Sequence, residues 1–571
     1  MKTILKFYHL LDKKKKTYSF FLIFLLFVGS LFELLSLAMI IPILQLIVDP
    51  DKIYPYIDFL PLKDFFNSLS RELLLILIIG LTVSLFIFKN FYILFVYWLQ
   101  QRFLRNFSTM ISSKLFKCYL KKNYIYFTEK NSSNFIKSLG NDTETLNSNL
   151  GYCGFIILEV FTIFFISALL FVIQPLGLIV TLTFYFLGSL FFLILLKKKT
   201  KIWSLEREFF AKTKIKHLKQ IIESVRDIKL LKLENIFMNN FNHHNNNFFK
   251  VMAKHQTMLG VPRLWIEIIT VIVIFALVLI LLNIKTFEAK SILPILGLYS
   301  AAAFKLIPSF NKIISGIQSL RFMKPVLNEY YNEISNYNEP DETNINKNKI
   351  SFNNTIQLKN INFSYDSKNI LFKNFSFTIS KGEKIGIYGE SGSGKSTFLD
   401  IFTGLIIPQN GEILVDGVNI NKNIDSWRSI FAYQSQNTTL VDDTIKNNIL
   451  LGNNQNFDFD NFNKSIHLSV LNTFVKSLVK KENTIIGERG AKLSGGQKQR
   501  IGLARTFYLN RDMIILDEST NALDEETENK ILENIWEKYK NKTIIIVSHN
   551  KNILKKCEKI IEFNQSGLVK Y

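Results

Sequence analysis

The sequence predicts an all-α membrane domain of six helices followed by an α/β P-loop domain, and three observations carry that reading. Apolar stretches long enough to cross a bilayer, which takes about 20 residues, recur through the first half of the 571-residue chain. The segment Gly389-Glu390-Ser391-Gly392-Ser393-Gly394-Lys395-Ser396-Thr397 matches GxxxxGK[ST] between an apolar strand and an apolar helix. Charge is divided unevenly: residues 1–330 carry 39 Lys and Arg against 19 Asp and Glu, whereas residues 331–571 carry 30 against 28. A basic excess confined to the apolar half suits the cytoplasmic loops of a membrane protein better than a nucleic-acid surface, so no nucleic-acid partner is expected. With 48% hydrophobic and 14% aromatic residues the chain is not disordered. Cys118, Cys153 and Cys557 lie far apart without CxxC spacing, which argues against a disulfide framework and a cysteine zinc site.

The candidate spans lie near 18–48, 73–100, 152–173, 176–196, 264–283 and, more weakly, 291–309. Residues 151–196 are too many for one crossing, and Gln174-Pro175-Leu176-Gly177 marks a tight break between two helices. Segments 1–17, 101–150 and 197–262 hold 6, 8 and 14 Lys and Arg, while 49–72 and 284–290 hold three and two. Positive residues stay inside, so both termini are placed in the cytoplasm. The first apolar run follows Lys13–Lys16 but is too long for a signal peptide and lacks a small-residue cleavage site, so it reads as an uncleaved helix. Leu218, Ile221, Ile222, Val225, Ile228 and Leu231 recur at helical spacing, so spanning helices are expected to continue into the cytoplasm. On the outer side, Ile57, Leu60, Leu62, Phe65, Phe66 and Leu69 are interleaved with polar residues around Pro61; an interfacial amphipathic helix and an ordinary loop both fit. Residues 331–350, rich in Asn, Glu and Asp, read as a linker between a membrane domain (1–330) and a second domain (351–571).

The chemistry begins at the Gly-rich segment. After the apolar strand Ile385–Tyr388, its glycines let backbone N–H groups close around phosphate, and the following helix N-terminus adds positive potential. Lys395 is placed to reach the β- and γ-phosphates, and Ser396 to coordinate Mg²⁺. A second apolar strand, Met513–Leu516, ends in Asp517, the expected Mg²⁺ partner, and Glu518, placed to polarise a water for attack on the γ-phosphate. A third, Thr543–Val547, delivers His549 as a candidate γ-phosphate sensor. ATP and Mg²⁺ are the implied ligands.

Leu493-Ser494-Gly495-Gly496-Gln497, followed by Lys498-Gln499-Arg500, resembles the signature of ATP-binding cassette (ABC) proteins, and residues 351–571 resemble an ABC nucleotide-binding domain throughout. The resemblance implies that Tyr365 stacks on adenine and that Gln436 contacts Mg²⁺ and the attacking water. It also implies that Asp524 is the D-loop aspartate and His549 the switch histidine. Gly487–Gly490 looks like the X-loop of exporters. Asn521 stands where the family usually has serine, and Ser548-His549-Asn550 replaces the commoner Ala-His-Arg; neither removes a catalytic group, so an active ATPase is expected. In this family one domain's P-loop site is closed by the other domain's signature, here Ser494, Gly495, Gly496 and Gln497. One of each and six spans therefore imply a homodimer, with coupling helices near Tyr124–Asn134 and Glu223–Lys229.

ABC membership does not give a cargo. The rivals are a lipid-linked sugar flippase, a multidrug or peptide exporter and a lipid A-type flippase. Lys89, Arg263 and Lys305 are cations in or beside the spans, where a charge costs about 2.5–3.5 kcal/mol and normally faces a cavity. Lys89 lies roughly 24 Å from the outer end of its helix and Lys305 roughly 21 Å, a shared depth that suits a diphosphate headgroup. Equally open from spacing alone is that Arg263 pairs with Glu267 and the lysines snorkel inward. The chain resembles PglK-type flippases of lipid-linked oligosaccharides at Phe86–Lys89, Val261–Glu267 and Phe304–Ser309. Two of that family's arginine positions are lysine here, which keeps charge and loses bidentate geometry. The resemblance implies ATP-driven movement of an undecaprenyl-diphosphate oligosaccharide across the bacterial inner membrane, for protein glycosylation or surface polysaccharide assembly.

Overall fold

A computed structural model describes residues 2–43, 70–283, 289–336, 349–365, 370–452, 457–564 and 569–570. The chain divides into two compact units, residues 1–122 with 126–338, and 123–125 with 339–571.

The first unit is helical. In chain order its elements are α1 (Lys2–Leu10), α2 (Lys13–Ala38), α3 (Arg71–Leu120), α4 (Tyr124–Glu129), α5 (Ser132–Lys137), α6 (Thr143–Ile173), α7 (Pro175–Glu223), α8 (Val225–Leu230), α9 (Glu234–Asn283), α10 (Ala289–Phe322) and α11 (Lys324–Ser335). Helices α3, α7 and α9 have 50, 49 and 50 residues. At 1.5 Å per residue each is about 75 Å long, well beyond a bilayer of about 45 Å, so each continues past the membrane as the periodic inside loop predicts. Among the described residues five helices are long and apolar enough to span. The weaker sixth candidate, 291–309, lies within α10. Residues 44–48 of the first candidate span and the proposed outer helix at 57–69 lie outside the described residues.

Two local features follow from the sequence. The break after α6 falls at Gln174 (φ −152°, ψ 88°), and Pro175 opens α7, where its missing N–H is of no consequence. The Gln174 carbonyl accepts from the Tyr299 hydroxyl at 3.0 Å. Residues 331–335, at the start of the expected linker, continue α11 as far as Ser335. Val326, Leu327 and Tyr330 are buried, and Glu333 accepts from Tyr126 (2.8 Å) and Lys130 (2.9 Å), which holds this polar-looking turn in place. Short helices α4 and α8 stand at the two expected coupling tips.

A buried ionic hub sits where α5 runs into a π-turn at Ser138–Asp142. The Lys137 ammonium lies 3.1 Å from Asp142, 3.6 Å from Glu329 and against Glu208, and Lys137 and Asp142 are almost fully buried. Burial pushes the Asp142 carboxyl up, against the pull of Lys137 and Arg207.

The second unit has two sheets. A four-stranded antiparallel sheet takes the order β2-β1-β4-β5, from β1 (Thr355–Ser364), β2 (Ile370–Ser380), β4 (Asn410–Val415) and β5 (Val418–Asn419). The six-stranded sheet takes the order β10-β9-β3-β8-β7-β6, from β3 (Lys384–Gly389), β6 (Phe431–Gln434), β7 (Met513–Asp517), β8 (Thr543–Val547), β9 (Lys559–Phe563) and β10 (Val569–Lys570). Strands β9, β3, β8, β7 and β6 are parallel. Every residue of β7 and β8 is buried, which is why both read as unbroken apolar runs. The register sets Asp517 opposite Val547 and Gln434 opposite Leu516. The residues after β3, β6, β7 and β8 therefore emerge together at the carboxyl edge, the usual binding edge of an open α/β sheet.

Candidate functional site: a phosphate loop and its acidic partner

The loop after β3 closes with Gly392 at φ +81° and Gly394 at φ +99°, left-handed positions that favour glycine. Gly394 caps α12 (Lys395–Phe402). Lys395 is buried, and its ammonium donates to the carbonyls of Gly389 and Glu390, both at 2.8 Å, and lies 4.0 Å from Glu518 Oε1. Burial pushes the Lys395 ammonium down, opposed by the charges of Glu518 and Asp517. Ser393 Oγ is buried within the loop with no hydrogen-bond partner among the described residues, and a Cβ added at Gly392 would meet no described atom within 4 Å. Ser396 is exposed on the first turn of α12. Thr397 Oγ1 lies 3.2 Å from the hydroxyl of Tyr365, whose ring is 66% exposed, so a flat apolar face stands beside the loop.

Opposite the loop, Asp517 ends β7 and accepts from the Tyr433 hydroxyl at 2.9 Å. Burial pushes Asp517 up, and the Tyr433 hydrogen bond opposes it. On α12 the Asp400 carboxyl is raised to about 6, by burial first and the charge of Asp517 second. Glu518 is buried and holds φ +44°, a backbone conformation that non-glycine residues rarely adopt. Its Oε1 lies 2.6 Å from His549 Nε2; its Oε2 accepts from Gln436 at 2.6 Å and Asn521 at 3.1 Å. The structure thus brings Lys395, Gln436, Asp517, Glu518 and His549 together. The donor set fits nucleotide and Mg²⁺: a left-handed glycine cradle, an ammonium, a hydroxyl and a hard carboxylate oxygen.

The signature segment forms its own structure. Ser494 caps α13 (Gly495–Leu509) in a reciprocal capping box, accepting from the Gln497 N–H at 3.3 Å while Gln497 Oε1 accepts from the Ser494 N–H at 2.9 Å. A Cβ added at Gly495 or Gly496 would meet Ala522, at 3.6 and 3.1 Å. Asp524 caps α14 (Glu525–Lys538) by accepting from the Thr527 N–H at 2.9 Å, a bond that holds its carboxyl below the usual range. Sequence reasoning noted Asn521 only as a departure and passed over Tyr433; both touch the acidic pair.

In the helical unit the three candidate cations differ. Arg263 Nε donates to Glu267 at 3.0 Å along α9, the alternative that the spacing left open. Lys305 donates to Glu33, a carboxylate on α2 that also accepts from Thr162 on α6. Lys89 lies 4.5 Å over the Phe86 ring and within the fields of Glu33 and Lys305. Lys89 thus feels both members of the Lys305–Glu33 pair, and Arg263 is engaged along its own helix. A second buried carboxylate, Glu159, accepts from Lys312 and Ser309, each at 2.6 Å. Glu33 escaped the sequence reading; a single acid inside an apolar span is the signal that finds it.

Two family profiles match the chain: the ABC transporter transmembrane region over residues 16–300, and ABC transporter over residues 372–521. A lipid A-core flippase of Vibrio vulnificus is 34% identical over 216 residues, covering 38% of this chain and 37% of the relative. The alpha-hemolysin translocation ATP-binding protein HlyB of Escherichia coli O157:H7 is 38% identical over 208 residues, covering 36% and 29%. The match thus spans about a third of the length of these relatives. A bacterial Atm1-family ABC exporter with ATP bound superposes with a TM-score of 0.79 at 19% identity, covering 94% of this chain and 93% of the other, a likeness of fold.

Proposed function

The chain belongs to the ABC transporter family, and from that premise we propose that it is one half of a homodimeric exporter. In this reading ATP hydrolysis moves a lipid-linked oligosaccharide, with an undecaprenyl-diphosphate anchor, from the inner to the outer leaflet of the bacterial inner membrane. The observation that carries the ATPase is the convergence of Lys395, Gln436, Asp517, Glu518 and His549 at one sheet edge. Lys395 and the loop N–H groups bind the phosphates, and Tyr365 offers its exposed ring to adenine. Ser396, Asp517 and Gln436 would hold Mg²⁺, which neutralises charge on the β- and γ-phosphates. Glu518 takes a proton from water as the water oxygen bonds to the γ-phosphorus and the bond to the β-phosphate oxygen breaks. Gln436 and His549 hold that carboxylate from opposite sides. With one P-loop and one signature per chain, a second copy supplies Ser494–Gln497 to each site.

What supports the cargo is the Lys89–Lys305 pair beside Glu33: two cations and one anion leave a net positive charge among the spans, suited to a permanently anionic diphosphate. The relatives favour a second reading, a lipid A-type cargo, which is also anionic. Proteoliposomes offered a fluorescent undecaprenyl-diphosphate oligosaccharide or a labelled lipid A decide between them. ATP-dependent flipping of the first, lost in Lys89→Gln while ATPase activity persists, is the expected result. Flipping of lipid A alone, or flipping unchanged in Lys89→Gln, overturns it.

A further inference from the structure

We propose that Asn521 is a positioning residue that holds the Glu518 carboxylate in its working orientation. The inference rests on the reading of Glu518 as general base. Glu518 sits at φ +44°, so its own backbone preference does not set its place; its N–H donates to the Val547 carbonyl at 3.1 Å. Its carboxylate is aimed by three side chains, His549 on Oε1 and Gln436 and Asn521 on Oε2. Gln436 and His549 come from the loops after β6 and β8. Asn521 lies three residues beyond Glu518, in a loop that is clamped. The Ala522 N–H donates at 2.9 Å to Oε1 of Gln499, a buried residue of α13, and the Leu523 N–H donates to the Thr520 carbonyl at 2.9 Å. Asp524 then caps α14. The amide of Asn521 is thus presented by a fixed backbone, and an ionised carboxylate accepts only. A donor at position 521 holds Glu518; a carboxylate of the same shape repels it.

The test is steady-state ATPase activity of the full-length protein in lipid nanodiscs, with ATP affinity measured alongside. Asn521→Ala lowers kcat about tenfold, the low end for losing a hydrogen bond to a charged group, with KM for ATP unchanged. Asn521→Ser, which retains a hydroxyl donor, restores part of that loss. Asn521→Asp, isosteric but without the donor, falls below alanine. A purely steric role would rank aspartate above alanine, and that order, or wild-type kcat in Asn521→Ala, overturns the inference. Glu518→Gln separates the two layers. If that variant turns over ATP, the base reading itself fails. If it is inactive while Asn521→Asp matches wild type, only the assignment of Asn521 fails.

Discussion

His549 Nε2 stands 2.6 Å from Glu518 Oε1, on the side of the carboxylate opposite Gln436. In the proposed mechanism this contact gives His549 the task of aiming the Glu518 carboxylate. His549→Ala is expected to lower kcat for ATP about a hundredfold, within the range for groups serving proton transfer, and to leave nucleotide affinity intact. Single-turnover ATPase with an equilibrium binding assay checks both halves.

Lys395 and Glu518 lie 4.0 Å apart, and the proposed mechanism assigns them to different stages. Lys395→Ala is expected to fail at nucleotide binding, because the ammonium that meets the phosphates is gone. Glu518→Gln is expected to bind ATP normally and to lose turnover, accumulating closed dimers. Fluorescent-nucleotide titration separates the two variants, and turnover by Glu518→Gln at near wild-type rate would remove the residue from its role.

Asp400 gives a pH dependence with a definite sign. Its carboxyl is raised from 3.8 to about 6 by burial and then by Asp517, so the folded protein holds this proton more tightly than the unfolded chain. That contribution to stability is complete below about pH 4 and is lost as pH rises through about 6. Asp400→Asn is therefore expected to raise the unfolding midpoint at pH 7.5, to change it little at pH 4, and to flatten the slope between. Thermal unfolding in detergent across that range reads the difference.

Glu33 and Lys305 should behave as a pair. Lys305→Gln strands a buried carboxylate and is expected to cost about 3 kcal/mol, as does breaking other buried pairs. The Glu33→Gln, Lys305→Gln double variant is expected to recover most of that loss, since two neutral amides carry no uncompensated charge. A double-mutant cycle on thermal stability measures the coupling.

Lys137 is the central cation of the hub at the π-turn, with Arg207 a second one 3.8 Å from Asp142. Asp142, Glu208 and Glu329 present oxygens within 4.8 Å of one another, and Lys137 is the ammonium set among them. Lys137→Met keeps the stem and removes the charge, and is expected to destabilise by about 3–5 kcal/mol. Lys137→Arg should lose less. Unfolding midpoints of the two variants rank them.

The candidate nucleotide site is legible in the sequence where each part is local. Residues 389–397 encode their own loop, 513–518 carry strand and acids together, and 494–497 satisfy their own helix end. Gln436 and His549 reach Glu518 only through the parallel register, which no local stretch of sequence encodes; their roles are what the family resemblance implies. Glu33 was missed for the opposite reason. One carboxylate barely lowers the hydropathy of an apolar helix, and its partner lies 272 residues away, beyond any periodicity. Residues 331–335 look as polar as a loop yet continue α11, where hydrogen bonds from Tyr126 and Lys130 to Glu333 hold the turn, a long-range contact that composition does not reveal.

The distance along the chain between Glu33 and Lys305 also bears on biogenesis. At about 5–20 residues per second of synthesis, the 272 residues between them take roughly 15 to 55 s to emerge. Throughout that interval α2 is made and its cation is not. Until α10 arrives, the Thr162 hydroxyl of α6 is the partner described for Glu33, and the ion pair forms only afterwards. The charge pair that ties α2 to α10 is thus completed last, so a nascent chain truncated before residue 305 should hold its first helix through packing against α3 and α6 and the Thr162 hydrogen bond, without that pair.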